Sequence, residues 1–182
     1  IDIEMTDTEE VYFATRYLKA IGGIQITASH NPINYNGMKL VGANASPISK
    51  NSGLDEIKRR IKVLNQELIA DLFIVHVQPN NSGISTRITA PYVDHLLSYI
   101  SPPKLSPMKI VVNAGNGVAG HVIDALENRF NELNVPITFI KVHHDPDGNF
   151  PNGIPNPLIK ENQIATRNAI LEHSADLGIA WD

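Results

Sequence analysis

Behind residue 107 the chain alternates strand-like and helix-like patterns, and that alternation most constrains its fold. Ser101-Pro102-Pro103-Lys104-Leu105-Ser106-Pro107 interrupts every periodic pattern, as a linker between domains does. After it, Lys109 to Asn113 reads as a strand. Ala119 to Leu133 reads as a helix with Val122, Leu126, Phe130 and Leu133 in line, and Ile137 to Val142 as a second strand. A loop rich in Asp, Asn, Gly and Pro follows, then a helix from about Lys160 to His173 and a final strand, Asp176 to Trp181. Parallel neighbours need a crossover connection and helices cover the sheet faces, so this order predicts a βαβαβ unit with right-handed crossovers. At 182 residues there is room for a second unit ahead of the linker.

The first half supplies that unit. A helix is expected from about Thr8 to Ala20, with Thr8 ahead of Glu9 and Glu10, apolar positions at Val11, Phe13, Ala14, Tyr17 and Leu18, and Gly22-Gly23 as its stop. Ile24 and Ile26 then alternate with Gln25 and Thr27, the period of a half-buried strand. A second short strand near Met38 to Val41 would form a hairpin around the intervening loop. A helix from about Leu54 to Ile69 places Ile57, Ile61, Leu64 and Leu68 on one face, with Lys58, Arg59, Arg60 and Lys62 largely on the other, a solvated charged face. Asn80-Asn81-Ser82-Gly83 reads as a loop and Ile88 to Ile100 as another amphipathic helix. The expected division is residues 1–100, a linker over 101–107, and 108–182. The fold class is α/β, two domains with mixed or parallel sheets.

Composition narrows the function classes. The formal net charge is −4, and no basic run interleaved with aromatics is present to track a phosphate backbone, so nucleic acid is not an expected partner. No apolar stretch approaches the roughly 18 residues of a membrane span, so no membrane partner is expected. There is no cysteine, which excludes a disulfide scaffold and a thiolate metal site and suits a reducing cytoplasm, the expected location.

Several motifs invite chemistry. Gly115-Asn116-Gly117-Val118-Ala119-Gly120 matches G-x-G-x-x-G between a strand and a helix. A dinucleotide fold would add an acidic residue at the end of the next strand, yet that strand ends in Val142-His143-His144. Close passage of a tight turn over the sheet is the favoured reading, with a nicotinamide-dependent oxidoreductase as a lesser alternative. Asp145-Pro146-Asp147-Gly148-Asn149 lacks EF-hand spacing, with Phe150 and Asn156 where Gly and Glu belong, and reads as a turn. His143 and His144 point to opposite faces, and His76, His95, His121 and His173 have no partner at ligand spacing, so these read as packing or surface residues.

Thr27-Ala28-Ser29-His30-Asn31-Pro32 is different, because its residue types cohere. A hydroxyl at the carboxyl end of a strand stands where open α/β sheets place ligands. A phosphorylated serine is close to a dianion and needs donors and a cation around it. His30 and Asn31 can donate hydrogen bonds, and Lys39 supplies positive charge.

The segment Gly23 to Leu40, with Thr-Ala-Ser-His-Asn-Pro followed by Tyr35-Asn36-Gly37-Met38-Lys39-Leu40, closely resembles the active-serine loop of the α-D-phosphohexomutase superfamily, within it the phosphomannomutase/phosphoglucomutase group. Asn113 to Gly120 resembles the start of that family's second domain, Asp147 to Pro157 a characteristic loop, and Ala175 to Asp182 the approach to its metal loop. The resemblance implies a phosphoserine enzyme interconverting hexose 1-phosphate and 6-phosphate, mannose phosphate favoured, through a hexose bisphosphate intermediate. It implies Ser29 as phosphoryl carrier, and His30 and Lys39 as catalytic. Asn31 and Lys39 would bind phosphate or substrate, Lys39 would help proton transfer, and Mg²⁺ would sit on phosphorylated Ser29 and Asp182. The family's metal loop is D-G-D-x-D-R, and only its first Asp, Asp182, is matched. A fragment with domain II and an incomplete domain I, itself inactive, is therefore the expectation, with a non-catalytic phosphosugar-binding module as the alternative.

Overall fold

The computed structural model describes residues 1–64 and 83–182. Helix α1 spans Thr8–Tyr17, and its cap is Asp7, one residue ahead of the expected Thr8. Asp7 accepts amides of the first turn while Glu10 Oε2 takes the Asp7 N–H at 3.0 Å, a capping box. The helix ends short of Ala20. Lys19 adopts a left-handed φ of 52°, and the amides of Lys19 and Ala20 turn back to the carbonyls of Arg16 and Thr15, a Schellman ending made without glycine. Gly22-Gly23, expected to stop the helix, instead opens strand β1, Gly22–Ile26. A side chain at Gly23 would run into Thr15 and Val11, so its absence lets α1 close onto the strand.

Strand β1 pairs antiparallel with β2, Met38–Gly42, with Ile26 opposite Met38, and β2 pairs antiparallel with the short β3, Ser46–Pro47. The hairpin is as expected. Among the described residues β1, β2 and β3 pair antiparallel, because no crossover helix separates β1 from β2. The face expected to be buried is also reversed. Ile24 and Ile26 are 59% and 60% exposed, while α1 covers the Gly23 and Gln25 face and Gln25 Nε2 donates to the Thr6 carbonyl at 3.2 Å. A period of two gives alternation and is silent about which side is covered.

Helix α2 covers Leu54–Val63 with its charged face solvated, Glu56 pairing Arg59 and Arg60. The expected continuation through Leu68 to Ile69, His76, and Asn80 to Ser82 lie outside the described residues. Helix α3, Thr89–Leu97, is shorter than expected; Ile88 and Val93 are buried, and Phe13 of α1 stacks among Tyr17, Tyr92 and His95. Pro102–Lys104 forms one 3₁₀ turn in the expected linker.

The second half is the βαβαβ unit. Strands β4 (Met108–Asn113), β5 (Ile137–Val142) and β6 (Leu177–Ala180) run parallel in the order β5-β4-β6. Helices α4, Gly120–Glu132, and α5, Ile164–His173, connect them, α5 preceded by a 3₁₀ turn at Lys160–Gln163. Val112, Ala114, Ala119 and Ile123 form the core, with Ile110, Phe139 and Trp181 packed on it. The buried stripe of α4 is therefore Ile123 and Phe130, rotated from the expected line, and Leu133 is 43% exposed. Side chains at Gly115 or Gly120 would overlap Pro155 or the His144 carbonyl, so these glycines do permit close passage over the sheet. Among the described residues no helix is long and apolar enough to cross a membrane.

Candidate active site

The serine loop leaves β1 with the ladder still running, since the Thr27 N–H donates to the Gly37 carbonyl at 3.0 Å. Ser29 then adopts φ 55°, a left-handed conformation costing a non-glycine residue about 1–2 kcal/mol. Two local anchors offset that cost. The Ser29 N–H donates to Thr27 Oγ1 at 3.0 Å, and Asn31 donates to the Ala28 carbonyl through Nδ2 at 2.6 Å and through its backbone amide at 3.2 Å. Each anchor is worth about 1 kcal/mol. Ser29, His30 and Asn31 are all exposed, so the hydroxyl is presented to solvent on a loop held by hydrogen bonds.

The carboxyl edge of the parallel sheet supplies the facing wall. The Trp181 N–H donates to the Asn113 carbonyl at 3.0 Å, and the Trp181 ring packs on the core, which carries Asp182 out past the end of β6. A small polar cavity of about 80 Å³ lies at this edge, lined by Asn113, His143, Asn152, Asn156, Glu161 and Trp181 among others. Burial pushes His143 below its ordinary value. His144 faces away, its Nε2 2.8 Å from Asp124 Oδ1, which Lys141 also pairs at 2.8 Å. The expected divergence of the two histidines holds, and Asn149 closes the turn that was expected there by donating to Asp147 Oδ1 at 2.9 Å.

One contact joins the two walls. His30 Nδ1 lies 3.0 Å from Asp182 Oδ1 and 3.2 Å from Oδ2. Both side chains are close to half exposed, so the pair contributes about 0–1 kcal/mol to stability and acts chiefly to orient the ring. A carboxylate can only accept, so Nδ1 carries the proton and Nε2 stays available to a phosphate oxygen or a proton in flight. Lys39 stands apart from this contact. Its Nζ donates to Thr8 Oγ1 at 3.3 Å, at the start of α1.

Asp182 and the Ser29 hydroxyl suit Mg²⁺ in kind, as hard oxygen donors, and fall short in number. Among the described residues no group of three or more His, Cys, Asp or Glu side chains could hold a metal ion. These residues do not by themselves build a metal centre.

A second contact between the halves was not legible beforehand. Glu10, wholly buried in α1, lies 2.7 Å from His121 Nε2 in the first turn of α4. His121 Nδ1 donates to the Val118 carbonyl, and the Glu10 carboxylate stands beside Nε2 without the alignment of a hydrogen bond, so the imidazolium is favoured by charge. The Glu10 carboxylate holds His121 above its ordinary value, against the burial that opposes it. The Asp7…Glu10 spacing of a capping box marks Glu10 in the sequence; nothing there marks His121.

An exposed serine on an antiparallel hairpin, set against the carboxyl edge of a parallel sheet, defines a two-part α/β protein with its candidate chemistry at the seam. Residues 1–67 match the model of phosphoglucomutase/phosphomannomutase alpha/beta/alpha domain I, and residues 90–182 match that of domain II, a match that begins within α3. The chain belongs to the phosphoglucomutase/phosphomannomutase family. A phosphomannomutase of Vibrio cholerae is 56% identical over 182 residues, and one of Escherichia coli 52% over 185. These alignments cover 100% of this chain, which spans 38% and 39% of the relatives' lengths. A crystal structure of a phosphoglucomutase/phosphomannomutase family protein from Burkholderia thailandensis superposes with a TM-score of 0.68 at 27% identity, over 100% of this chain and 37% of that one.

Proposed function

We propose that this chain carries the phosphoryl-donating part of a phosphohexomutase, an intramolecular phosphotransferase acting on hexose phosphates, with mannose phosphate as the favoured substrate. The observation that carries the reading is the His30–Asp182 contact, which brings the serine loop and the carboxyl edge of the parallel sheet to one place. Relatives named phosphomannomutase at 56% and 52% identity support the substrate class.

In the proposed reaction a phosphoryl group passes from the Oγ of phosphorylated Ser29 to a hydroxyl of a hexose monophosphate. The Ser29 O–P bond breaks, a sugar O–P bond forms, the sugar hydroxyl proton leaves to a basic group, and the freed Ser29 Oγ takes up a proton. The bisphosphate so made returns its other phosphoryl to Ser29. His30, oriented by Asp182, offers Nε2 to the moving oxygens, and Asn31 stiffens the loop. Lys39 is proposed to bind phosphate and assist proton transfer, which requires its ammonium to leave Thr8. Most of the rate gain in such a transfer comes from positioned donors and cations around the spreading negative charge. Mg²⁺ is proposed as the cofactor, with phosphorylated Ser29 and Asp182 among its oxygen ligands; when bound it neutralises charge on the phosphoryl oxygens. A cytoplasmic setting accompanies this reading, in keeping with a chain free of cysteine.

The test is conversion of mannose 1-phosphate to mannose 6-phosphate by the full-length protein, with intact mass before and after phosphatase to detect phosphoserine. Ser29→Ala is expected to abolish both turnover and the phosphatase-sensitive mass. A Ser29→Ala variant that keeps the wild-type rate refutes the proposal, and hexose phosphate binding without phosphoserine points to a binding module instead.

A further inference from the structure

We propose that Thr27 is a positioning residue for Ser29, its Oγ1 fixing the left-handed backbone from which the serine oxygen is presented. The inference rests on the reading of Ser29 as the phosphoryl carrier. The serine φ of 55° lies where non-glycine residues settle only when their surroundings hold them. The loop is exposed, so packing does not hold it there, and local hydrogen bonds must. On the upstream side that bond is the Ser29 N–H to Thr27 Oγ1, at 3.0 Å.

Thr27 is itself tied to the sheet. Its amide donates to the Gly37 carbonyl at 3.0 Å, one step beyond the Ile26 to Met38 pair. A Cβ at Gly37 would stand 2.8 Å from the Thr27 carbonyl oxygen, so a glycine opposite lets the two strand ends close up. Thr27 is thus the last residue held by the ladder, and its hydroxyl passes that rigidity on. Downstream, the two Asn31 bonds to the Ala28 carbonyl hold the other side. Thr27 acts through Ser29 and needs no contact with substrate. Displacing a reacting oxygen by about 1 Å can cost a hundredfold in rate, so a hydroxyl that fixes the serine backbone bears directly on transfer.

Thr27→Val keeps the β-branched shape and removes the acceptor; Thr27→Ser keeps the acceptor and removes the methyl. The full-length protein and both variants are dephosphorylated and mixed with glucose 1,6-bisphosphate as phosphoryl donor. Phosphate on Ser29 is followed by intact mass, with KM for mannose 1-phosphate and Tm measured alongside. Thr27→Val is expected to take up phosphate about tenfold more slowly, with KM and Tm close to wild type, while Thr27→Ser restores the rate to within about twofold. A merely structural role would lower Tm without this split. Equal rates for Thr27→Val and wild type, or a Thr27→Ser variant as slow as Thr27→Val, overturn the inference alone. If Thr27→Val does not fold, Thr27→Ala takes its place with the same outcomes. Wild-type protein that gains no phosphate on Ser29 overturns the carrier reading as well.

Discussion

Replacing His121 by Gln tests the buried contact between the two halves. Glu10 has no exposed surface, and among the described residues its Oε1 has no hydrogen-bond partner, so its charge is balanced by His121 through Oε2 and by the Asp7 amide. Removing one partner of a fully buried pair costs about 3–5 kcal/mol. The His121 side chain is 31% exposed, and water would take over part of its role, which lowers the expectation to about 2 kcal/mol. For a chain of this size that corresponds to a fall in Tm of about 4–8 °C. The pH dependence carries the sharper test. Because the folded value of His121 is raised above its ordinary 6.5, its contribution is fully present below about pH 6.5 and is lost as pH rises through the raised value. The position in the first turn of α4 opposes protonation, and the neighbouring Asp7 adds to the pull of Glu10. Glu4, Arg87, Asp124, His144 and Asp145 line the same cavity as His121 and are present in both proteins, so the difference between them isolates the pair. Urea unfolding followed by circular dichroism is run on wild type and His121→Gln from about pH 6 to pH 9, where the unperturbed imidazole loses its proton. The gap between them should be widest at the acid end and should shrink on going alkaline. A double variant with Glu10→Gln should recover part of the loss, giving a coupling energy for the pair. Parallel stability curves for wild type and His121→Gln across that range would falsify the assignment of a charged His121.

Two further perturbations separate stability from chemistry. Asp182→Asn weakens a half-exposed pair and should shift the urea midpoint by an amount worth no more than about 1 kcal/mol. Phosphate uptake by Ser29 in the same variant should fall at least about tenfold, and an unchanged rate would show that the His30 contact plays no part in transfer. Gly120→Ala forces a Cβ onto the His144 carbonyl and should cost about 1–3 kcal/mol in urea unfolding, since the backbone at that crossing has little room to move.

Where the chain's own pattern decides the structure, the sequence is a good guide. β5 falls on the expected residues, because a short apolar run between turn signals has one way to pair inside a βαβαβ unit. Ends and faces are harder. The helix is capped by Asp7 and Glu10 rather than by Thr8, and Lys19 takes a left-handed role that glycine usually fills. Ile24 and Ile26 alternate as a strand should, yet their exposure depends on where α1 lands. Within the site, the serine loop is local in sequence and could be read from its residue types. The His30 to Asp182 and Glu10 to His121 contacts join residues far apart in the chain, and no periodicity encodes such meetings.

Trp181 is the only tryptophan in the sequence, and the fold puts it at the seam. Its indole packs on the core of the parallel sheet, its backbone amide is tied to Asn113, and the next residue is the carboxylate that meets His30. Excited beyond the absorption of the five tyrosines, residues 1–182 therefore emit from one indole at one address. A change in its wavelength or intensity on adding hexose phosphate, bisphosphate or Mg²⁺ reports on the environment beside Asp182 without a label. The spectrum can be followed in stopped flow, so occupancy of the seam by an added ligand can be timed directly.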